Sequence, residues 1–357
     1  MKPLRVNADY EVELFHQKLA PVAINESIEF LLFFLSTKPL YSKKKYSLEF
    51  LKYVENLIGH YPEVVSQGPF ENFWGPLKDI AIEKWWNSKI TSTNFIIEQN
   101  WCNKTCIISN GNETKNLDWT QDYVVKDPFG MSGQKFHILK KEMSISEREA
   151  HIHKSLLTGQ LILEPWFDRK FDFSQYVFPN GEIIAYQNIV DNKFQYKGSI
   201  FEDINSAELK NLPSYEKLSL EKWNDFENQT QKIIEFYRKH PNEYGYSIDS
   251  FIYEEHGELK IRVMSEINYR KTMGRVAYEL SQKLGENFSW TALVLTKSSP
   301  EISPLWKTLK EKNVMVLSPG DSRFDILFLR AKNPIEGQYL LDGLSRLLPN
   351  TQFAVKF

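Results

Sequence analysis

The chain reads as a mixed α/β (α+β) protein of more than one structural unit, and three features of its sequence carry that reading. At 357 residues it exceeds the roughly 100–150 residues of a typical compact domain. Its middle alternates β-prone runs with amphipathic helical stretches. Its tail, from Trp290 onward, spells out β-α-β-β-α-β, the order of a split βαβ module.

Taken in order, residues up to about Asn87 mix helical stretches with aromatic loops. Residues 47–58 place Leu48, Leu51, Val54 and Ile58 at helical intervals, and Gly68-Pro69-Phe70 and Trp74-Gly75-Pro76 mark turns. Residues 89–99 are helical, 105–109 β-prone, and the polar run 110–118 is a loop. Strands follow at 123–126 and 135–139, then a helix over 144–157, where Ser144 and Glu147 have capping-box spacing. A short buried strand, 161–164, leads into a meander over 173–178, 182–187 and 194–197, joined by Asn180-Gly181 and polar turns. A long helix covers 218–240, a strand pair 247–253 and 260–266, and a helix 273–284. The tail supplies strands at 290–295, 314–317, 325–330 and 352–356, with helices at 304–312 and 337–348.

Composition narrows the function classes. With 42% hydrophobic residues the chain fills a substantial core, and 44 basic against 46 acidic residues gives no global attraction to nucleic acid or anionic membrane. Two cysteines, Cys102 and Cys106, are too few for a disulfide framework or a structural zinc site. The longest apolar run, residues 30–35, falls far short of the roughly 20 residues a membrane helix needs. No basic-then-apolar leader opens the chain, so a cytoplasmic location is the expectation.

Two constellations carry chemistry. In the first, Lys126 ends a strand and Phe129-Gly130-Met131-Ser132-Gly133 follows as a glycine-containing turn before a return strand. Glycines let backbone N–H groups approach phosphate oxygens, and a lysine adds a compact positive charge. The run is neither a Walker loop nor a dinucleotide fingerprint, and alone it equally describes an ordinary hairpin. In the second, a strand puts Glu266 and Asn268 on one face, with Arg270 continuing in that direction. A carboxylate beside an amide oxygen suits a magnesium ion, which takes few protein ligands and completes its shell with phosphates. Asp249, on the preceding strand, offers a second carboxylate, and Arg262 sits at an even spacing from Glu266. His151 and His153 lie in a helical stretch without a nearby acidic or cysteine partner and read as a surface pair.

The order of these parts, a lysine-ended strand, a glycine turn, a strand ending in Glu164, then Asp249 and Glu266-Ile267-Asn268, resembles the ATP-grasp superfamily over roughly residues 87–284. A closer resemblance, to a poorly characterised bacterial group with an N-terminal pre-ATP-grasp domain, rests on three runs. They are Asn7-Ala8-Asp9-Tyr10-Glu11-Val12-Glu13-Leu14, Phe73-Trp74-Gly75-Pro76 and Glu266-Ile267-Asn268-Tyr269-Arg270-Lys271-Thr272-Met273-Gly274. The resemblance implies an ATP-grasp fold with three units. Residues 1–88 form the pre-ATP-grasp domain, 89–284 the ATP-grasp domain with a flap at about 105–160, and 285–357 a small C-terminal βαββαβ unit.

It further implies that Lys89 and Lys126 reach the ATP phosphates and that Phe129, Gly130, Met131, Ser132 and Gly133 form the flap over them. Glu164 and Trp166 then lie at the adenine, and Asp172 at the ribose or substrate. Asp249, Glu266 and Asn268 would hold Mg²⁺ or Mn²⁺, and Arg270 together with Lys126 would serve the transferred phosphoryl group. Asp9, Glu11, Glu13 and Trp74 are expected either on the acceptor side of the cleft or in packing. One departure stands out: Ser247 occupies the place where D-alanine–D-alanine ligases carry a catalytic arginine, which shifts weight to Arg270, Arg275 or Arg262. The implied reaction is ATP-dependent joining of a small-molecule or peptide carboxylate to an amine through an acyl phosphate. A kinase-like phosphotransferase and a nucleotide-binding or interaction module without ligase activity stay open beside it.

Overall fold

The structure is a computed structural model that describes residues 1–16, 23–102, 104–129, 136–157, 159–191, 194–204, 206–240, 243–298 and 313–347. The glycine loop from Gly130 to Gly133, the expected tail helix at 304–312 and the last expected strand at 352–356 lie outside the described residues.

Three sheets organise the chain. The N-terminal part holds strands β1 (Leu4–Arg5), β2 (Leu40–Tyr41), β3 (Val64–Val65) and β4 (Glu71–Asn72), paired in parallel in the order β3-β2-β1-β4. Sequence periodicity gives no hint of this sheet, because two-residue strands have no alternation to read. Around it lie helices α1 (Tyr10–His16), α2 (Ala23–Ile28), α3 (Leu31–Leu35), α4 (Leu48–Ile58), α5 (Ile80–Asn87) and α6 (Lys89–Glu98). Local chemistry sets the ends of α4: the Ser47 side chain accepts the Phe50 N–H, and Gly59 closes the helix at φ 78°.

The second sheet is antiparallel, ordered β5-β8-β6-β7, from β5 (Cys106–Ile108), β6 (Tyr123–Lys126), β7 (Phe136–Leu139) and β8 (Leu161–Pro165). Helix α7 (Ile145–Leu156) starts at the expected capping box of Ser144 and Glu147, and Ile152 packs with Ile108, Tyr123, Val125, Leu139, Leu161 and Leu163. The run expected as a loop contains a 3-10 helix, Gly111–Asn116, instead. Asn110 accepts the Asn112 N–H and Glu113 accepts the Ser109 N–H, so side chains of the polar run close the turn themselves. His151 and His153 are exposed on α7, as a surface pair requires.

The third sheet is eight-stranded and antiparallel throughout, ordered β13-β12-β9-β10-β11-β14-β16-β15. Its strands are β9 (Asp168–Val177), β10 (Ile183–Val190), β11 (Tyr196–Phe201), β12 (Tyr246–Glu255), β13 (Glu258–Asn268), β14 (Trp290–Lys297), β15 (Val314–Val316) and β16 (Phe324–Ala331). Helix α8 (Leu220–Tyr237) packs Trp223, Phe226, Ile233 and Ile234 onto Phe173, Ile248 and Met264. Helix α9 (Met273–Leu284) buries Val276, Ala277 and Leu280, and α10 (Pro334–Leu347) seats Leu341 and Leu344 by Trp290, Ala292 and Leu329. Because β14 pairs with β11, the strands of the tail extend the central sheet. Cys102 and Cys106 are both free thiols, and no helix among the described residues is long and apolar enough to cross a membrane.

The three runs that stood out in the sequence meet in space. The Asn7 side chain accepts the Trp74 N–H at 2.9 Å and donates to the Gly75 carbonyl at 3.0 Å. Trp74 in turn accepts the Lys271 N–H at 2.8 Å. Two glycines permit this approach: a Cβ on Gly75 would stand 2.4 Å from the Tyr10 ring, and one on Gly274 would stand 2.1 Å from the Tyr186 ring. Tyr10 donates to the Glu83 carboxylate, and Asn87 accepts the Tyr269 N–H at 2.9 Å, tying α1 and α5 to the end of β13.

Candidate functional site

Two adjoining cavities open where the second sheet faces β9, β12 and β13. The first is walled by Val124, Phe136, Pro165, Trp166 and Phe167 at an apolar end. Its other walls carry Lys89, Lys126, Glu164, Arg169 and Glu266. The second cavity is lined by hydroxyls, amides and charges, among them Asp172, Ser174, Asn188, Asp249, Asn268 and Arg270. Arg169, Phe194, Phe251, Ser265 and Glu266 border both.

Lys126 stands at the end of β6, where antiparallel pairing with β8 sets Val124 opposite Glu164. Its Nζ reaches Glu164 Oε2 at 2.6 Å, while Arg262 Nη2 approaches the other oxygen, Oε1, at 3.3 Å. Burial drives the Lys126 pKa below the usual lysine range despite this partner. Burial also opposes ionisation of Glu164, but Lys126 and Arg262 outweigh it and hold the carboxyl low. Glu164 is therefore a carboxylate between two cations, and Arg262, on the same strand as Glu266, turns its charge to Glu164.

Lys89 opens α6, whose start is pinned by the Lys89 N–H donating to the Pro128 carbonyl at 2.9 Å. Its Nζ pairs with Glu266 Oε2 at 2.9 Å. Desolvation works against the Lys89 charge, yet Glu266, with Glu11 behind it, raises the pKa. Glu266 sits opposite Asp249 across the β12–β13 pairing. Burial pushes both carboxyls up, but Lys89, Lys126 and Arg270 pull Glu266 down to about 2, whereas Asp249, facing Glu266, is raised to about 6.

Asn268 Nδ2 lies 2.8 Å from Asp249 Oδ2 and 3.5 Å from Glu266 Oε1, so two carboxylates converge on one amide group. Ser174 and Ser247 each donate to Asp249 Oδ1 at 2.8 Å. Two carboxylates facing each other across the strand pair form a donor set that fits a hard cation such as Mg²⁺. The Asn268 oxygen is engaged by Arg270 Nη2 at 2.9 Å, so the two carboxylates are what this arrangement offers a cation. Among the described residues no group of three His, Cys, Asp or Glu side chains gathers as a metal cluster, and further ligands would come from phosphate oxygens and water.

Arg270 is itself anchored from the N-terminal part. Its Nη2 is 3.0 Å from Glu11 Oε1, with both side chains under a tenth exposed. Glu13 instead pairs with Arg5 at 2.6 Å, and Asp9 is half-buried. Asp172 lies on β9 and borders the second cavity, with burial raising its carboxyl pKa and Arg169 opposing that. Trp166 lines the first cavity between the rings of Phe136 and Phe194. Phe129 lies apart from these walls, its ring 5.7 Å from that of Phe15.

The residues that sequence reasoning missed are Arg169 and the rings of Phe136, Phe194 and Phe251. Strict alternation along a strand sends Arg169 and Asp172 to opposite faces. A register shift where β9 pairs with β12 sets Tyr253 opposite Arg169 and Ile252 opposite Phe171, and Arg169 Nη1 reaches Asp172 Oδ1 at 3.0 Å. Ser247 donates its hydroxyl to Asp249, and Arg169 and Arg270 supply guanidinium groups to the second cavity.

No protein-family model and no curated protein sequence matches the chain. Among solved structures, that of N5-carboxyaminoimidazole synthetase from Staphylococcus aureus complexed with ADP is similar at a TM-score of 0.50 and 13% identity, covering 86% of this chain and 86% of that one. An ADP complex of N5-carboxyaminoimidazole ribonucleotide synthetase is similar at a TM-score of 0.51 and 11% identity, covering 93% of this chain and 85% of that one. At such identities the likeness is one of fold.

Proposed function

The chain has the ATP-grasp fold, and from that premise we propose that it is an ATP-dependent ligase that joins a carboxylate to an amine. The observation that carries the reading is the junction of the two cavities. There Lys89 pairs with Glu266, which faces Asp249, and Lys126 pairs with Glu164 in the same cleft, where an apolar-ended cavity meets a polar one. An apolar end walled by Trp166, Phe167 and Phe136 suits a nucleobase, and the half-buried Lys89 and Lys126 suit its phosphates. The ADP bound by both neighbouring structures agrees with a nucleotide in this cleft.

Asp249 and Glu266 would hold a Mg²⁺ ion. When bound, it neutralises charge on the β- and γ-phosphates. In the proposed reaction a substrate carboxylate oxygen attacks the γ-phosphorus, the bond to the β-phosphate oxygen breaks, and ADP leaves. The amine nitrogen then attacks the acyl carbon of the acyl phosphate, phosphate departs, and the nitrogen loses a proton. Lys89 and Lys126 fix the phosphate chain and offset its charge, so catalysis is positioning and electrostatics and needs no protein nucleophile. Arg270, held by Glu11 and Asn268, stands in the polar cavity where the carboxylate would enter.

The test is a panel of carboxylates and amines incubated with MgATP. ADP release that requires both a carboxylate and an amine supports the ligase. A stable phosphorylated product without need of an amine assigns a phosphotransferase in its place.

A further inference from the structure

Strand register lays out the floor of the second cavity. On one face of the large sheet, β12 sets Asp249 opposite Ser174 of β9 and Phe251 opposite Asp172, and β9 sets Asp172 opposite Asn188 of β10. Residues opposed in an antiparallel pair share a face, with Cβ atoms about 4.5–5.5 Å apart. Asp172 and Asn188 therefore stand side by side, and both line the second cavity while neither lines the first.

The hydrogen-bond donors of this floor are already committed. Asn188 Nδ2 donates to Ser174 Oγ at 2.7 Å, and Ser174 donates in turn to Asp249 Oδ1 at 2.8 Å. Arg169 Nη1 occupies Asp172 Oδ1 at 3.0 Å. One oxygen on each side chain stays open, Asp172 Oδ2 and Asn188 Oδ1, and neither accepts a hydrogen bond among the described residues. Two adjacent acceptors disfavour an anion and suit a group that brings two donors. A primary amine nitrogen is such a group: its two N–H bonds can engage both oxygens, which leaves the lone pair free. Ser174, the cross-strand neighbour of Asp249, lies two residues along β9 from Asp172, about 7 Å. That is a span an acyl phosphate seated by Asp249 and Glu266 can bridge.

We propose that Asp172 and Asn188 form the subsite for the amine substrate, and that this subsite selects a primary amine. The inference rests on the ligase reading of the cleft. The lone pair forms the carbon–nitrogen bond as the bond from the acyl carbon to the phosphate oxygen breaks, and the departing phosphate carries off the proton that the nitrogen gives up. A secondary amine brings a single N–H and leaves one acceptor unpaired, which a site built on hydrogen bonds penalises strongly. Asp172 thereby has a role different from the ribose contact that the sequence resemblance implies.

Amine-dependent ADP release by the full chain, with MgATP and a panel of small carboxylates, tests it. The probes are glycinamide and ethanolamine, each against its N-methyl form. For the wild type, kcat/KM with a primary amine is expected to exceed that with its N-methyl form at least tenfold. N188L removes one acceptor, so the KM for the primary amine should rise at least tenfold and that for MgATP less than twofold, and the preference over the N-methyl form should shrink below threefold. In D172N the amide oxygen stays with Arg169 and an NH₂ group turns to the amine, so the same split between the two KM values is expected. An unchanged KM for MgATP also shows that a variant is folded, and if one variant fails to fold the other decides. Equal use of primary and N-methyl amines by the wild type, an unchanged amine KM in the folded variants, or a rise confined to the KM for MgATP overturns the subsite and leaves the ligase reading intact. ADP release that no amine stimulates overturns the ligase reading and this inference with it.

Discussion

The Glu11–Arg270 pair is where the N-terminal part of the chain enters the cleft, and its removal has a computable consequence. The two groups are 3.0 Å apart, their side chains are 6% and 9% exposed, and Glu11 Oε2 and Arg270 Nε are buried without another partner. E11A strands a buried guanidinium with Asn268 as its remaining polar neighbour at Nη2. Breaking a buried pair from one side costs about 3–5 kcal/mol. E11Q keeps the shape and one acceptor, so its cost falls to that of a charged hydrogen bond, about 1.5–3 kcal/mol. Urea unfolding of wild type, E11A, E11Q, R270A and E11A/R270A measures these values. The double variant should be more stable than the sum of the single losses implies, because neither charge is left alone. Strictly additive losses, or an E11A cost below about 1 kcal/mol, would refute the idea that this pair works as a buried unit.

Other outcomes follow from the same charges. K126A removes the cation nearest Glu164, and MgATP affinity measured by calorimetry should fall about 10- to 150-fold, the value of one charged hydrogen bond; unchanged affinity removes Lys126 from the site. Asp9 has its pKa raised from 3.8 to about 6 by burial and then by Glu13. A raised carboxyl gives stability that is present below its unfolded pKa and lost as pH rises through its folded one. D9N should therefore be more stable than wild type at pH 7 by about 1 kcal/mol, a figure reduced for the partial exposure of Asp9, with the gap closing below about pH 4. Urea unfolding at the two pH values reads the gap, and a gap independent of pH contradicts the assignment.

How much of this was legible in the sequence differs by region. The central strands, the capping box at Ser144 and the Glu266–Asn268 segment announce themselves through alternation, cap spacing and paired side-chain oxygens. The N-terminal sheet does not, since Leu4–Arg5 and its partners are too short to carry a period. Lys89 and Glu266 could each be named from the sequence, but their 2.9 Å pairing brings together helix α6 and strand β13, far apart in the chain. Arg169 escaped because irregular strand pairing, invisible to a period-two reading, joins it to Asp172. Glu11 was legible only as one acid in a run of three, and the fold alone distinguishes its partner, Arg270, from that of Glu13, Arg5.

Nucleotide binding by the wild type and by E266A, titrated with ATP in the presence and absence of Mg²⁺, tests the central claim most directly. The account expects saturable ATP binding by the wild type that strengthens with Mg²⁺, and in E266A a loss of the Mg²⁺ effect with the fold retained. Absence of ATP binding by the folded wild type, or an undiminished Mg²⁺ effect in E266A, would contradict it.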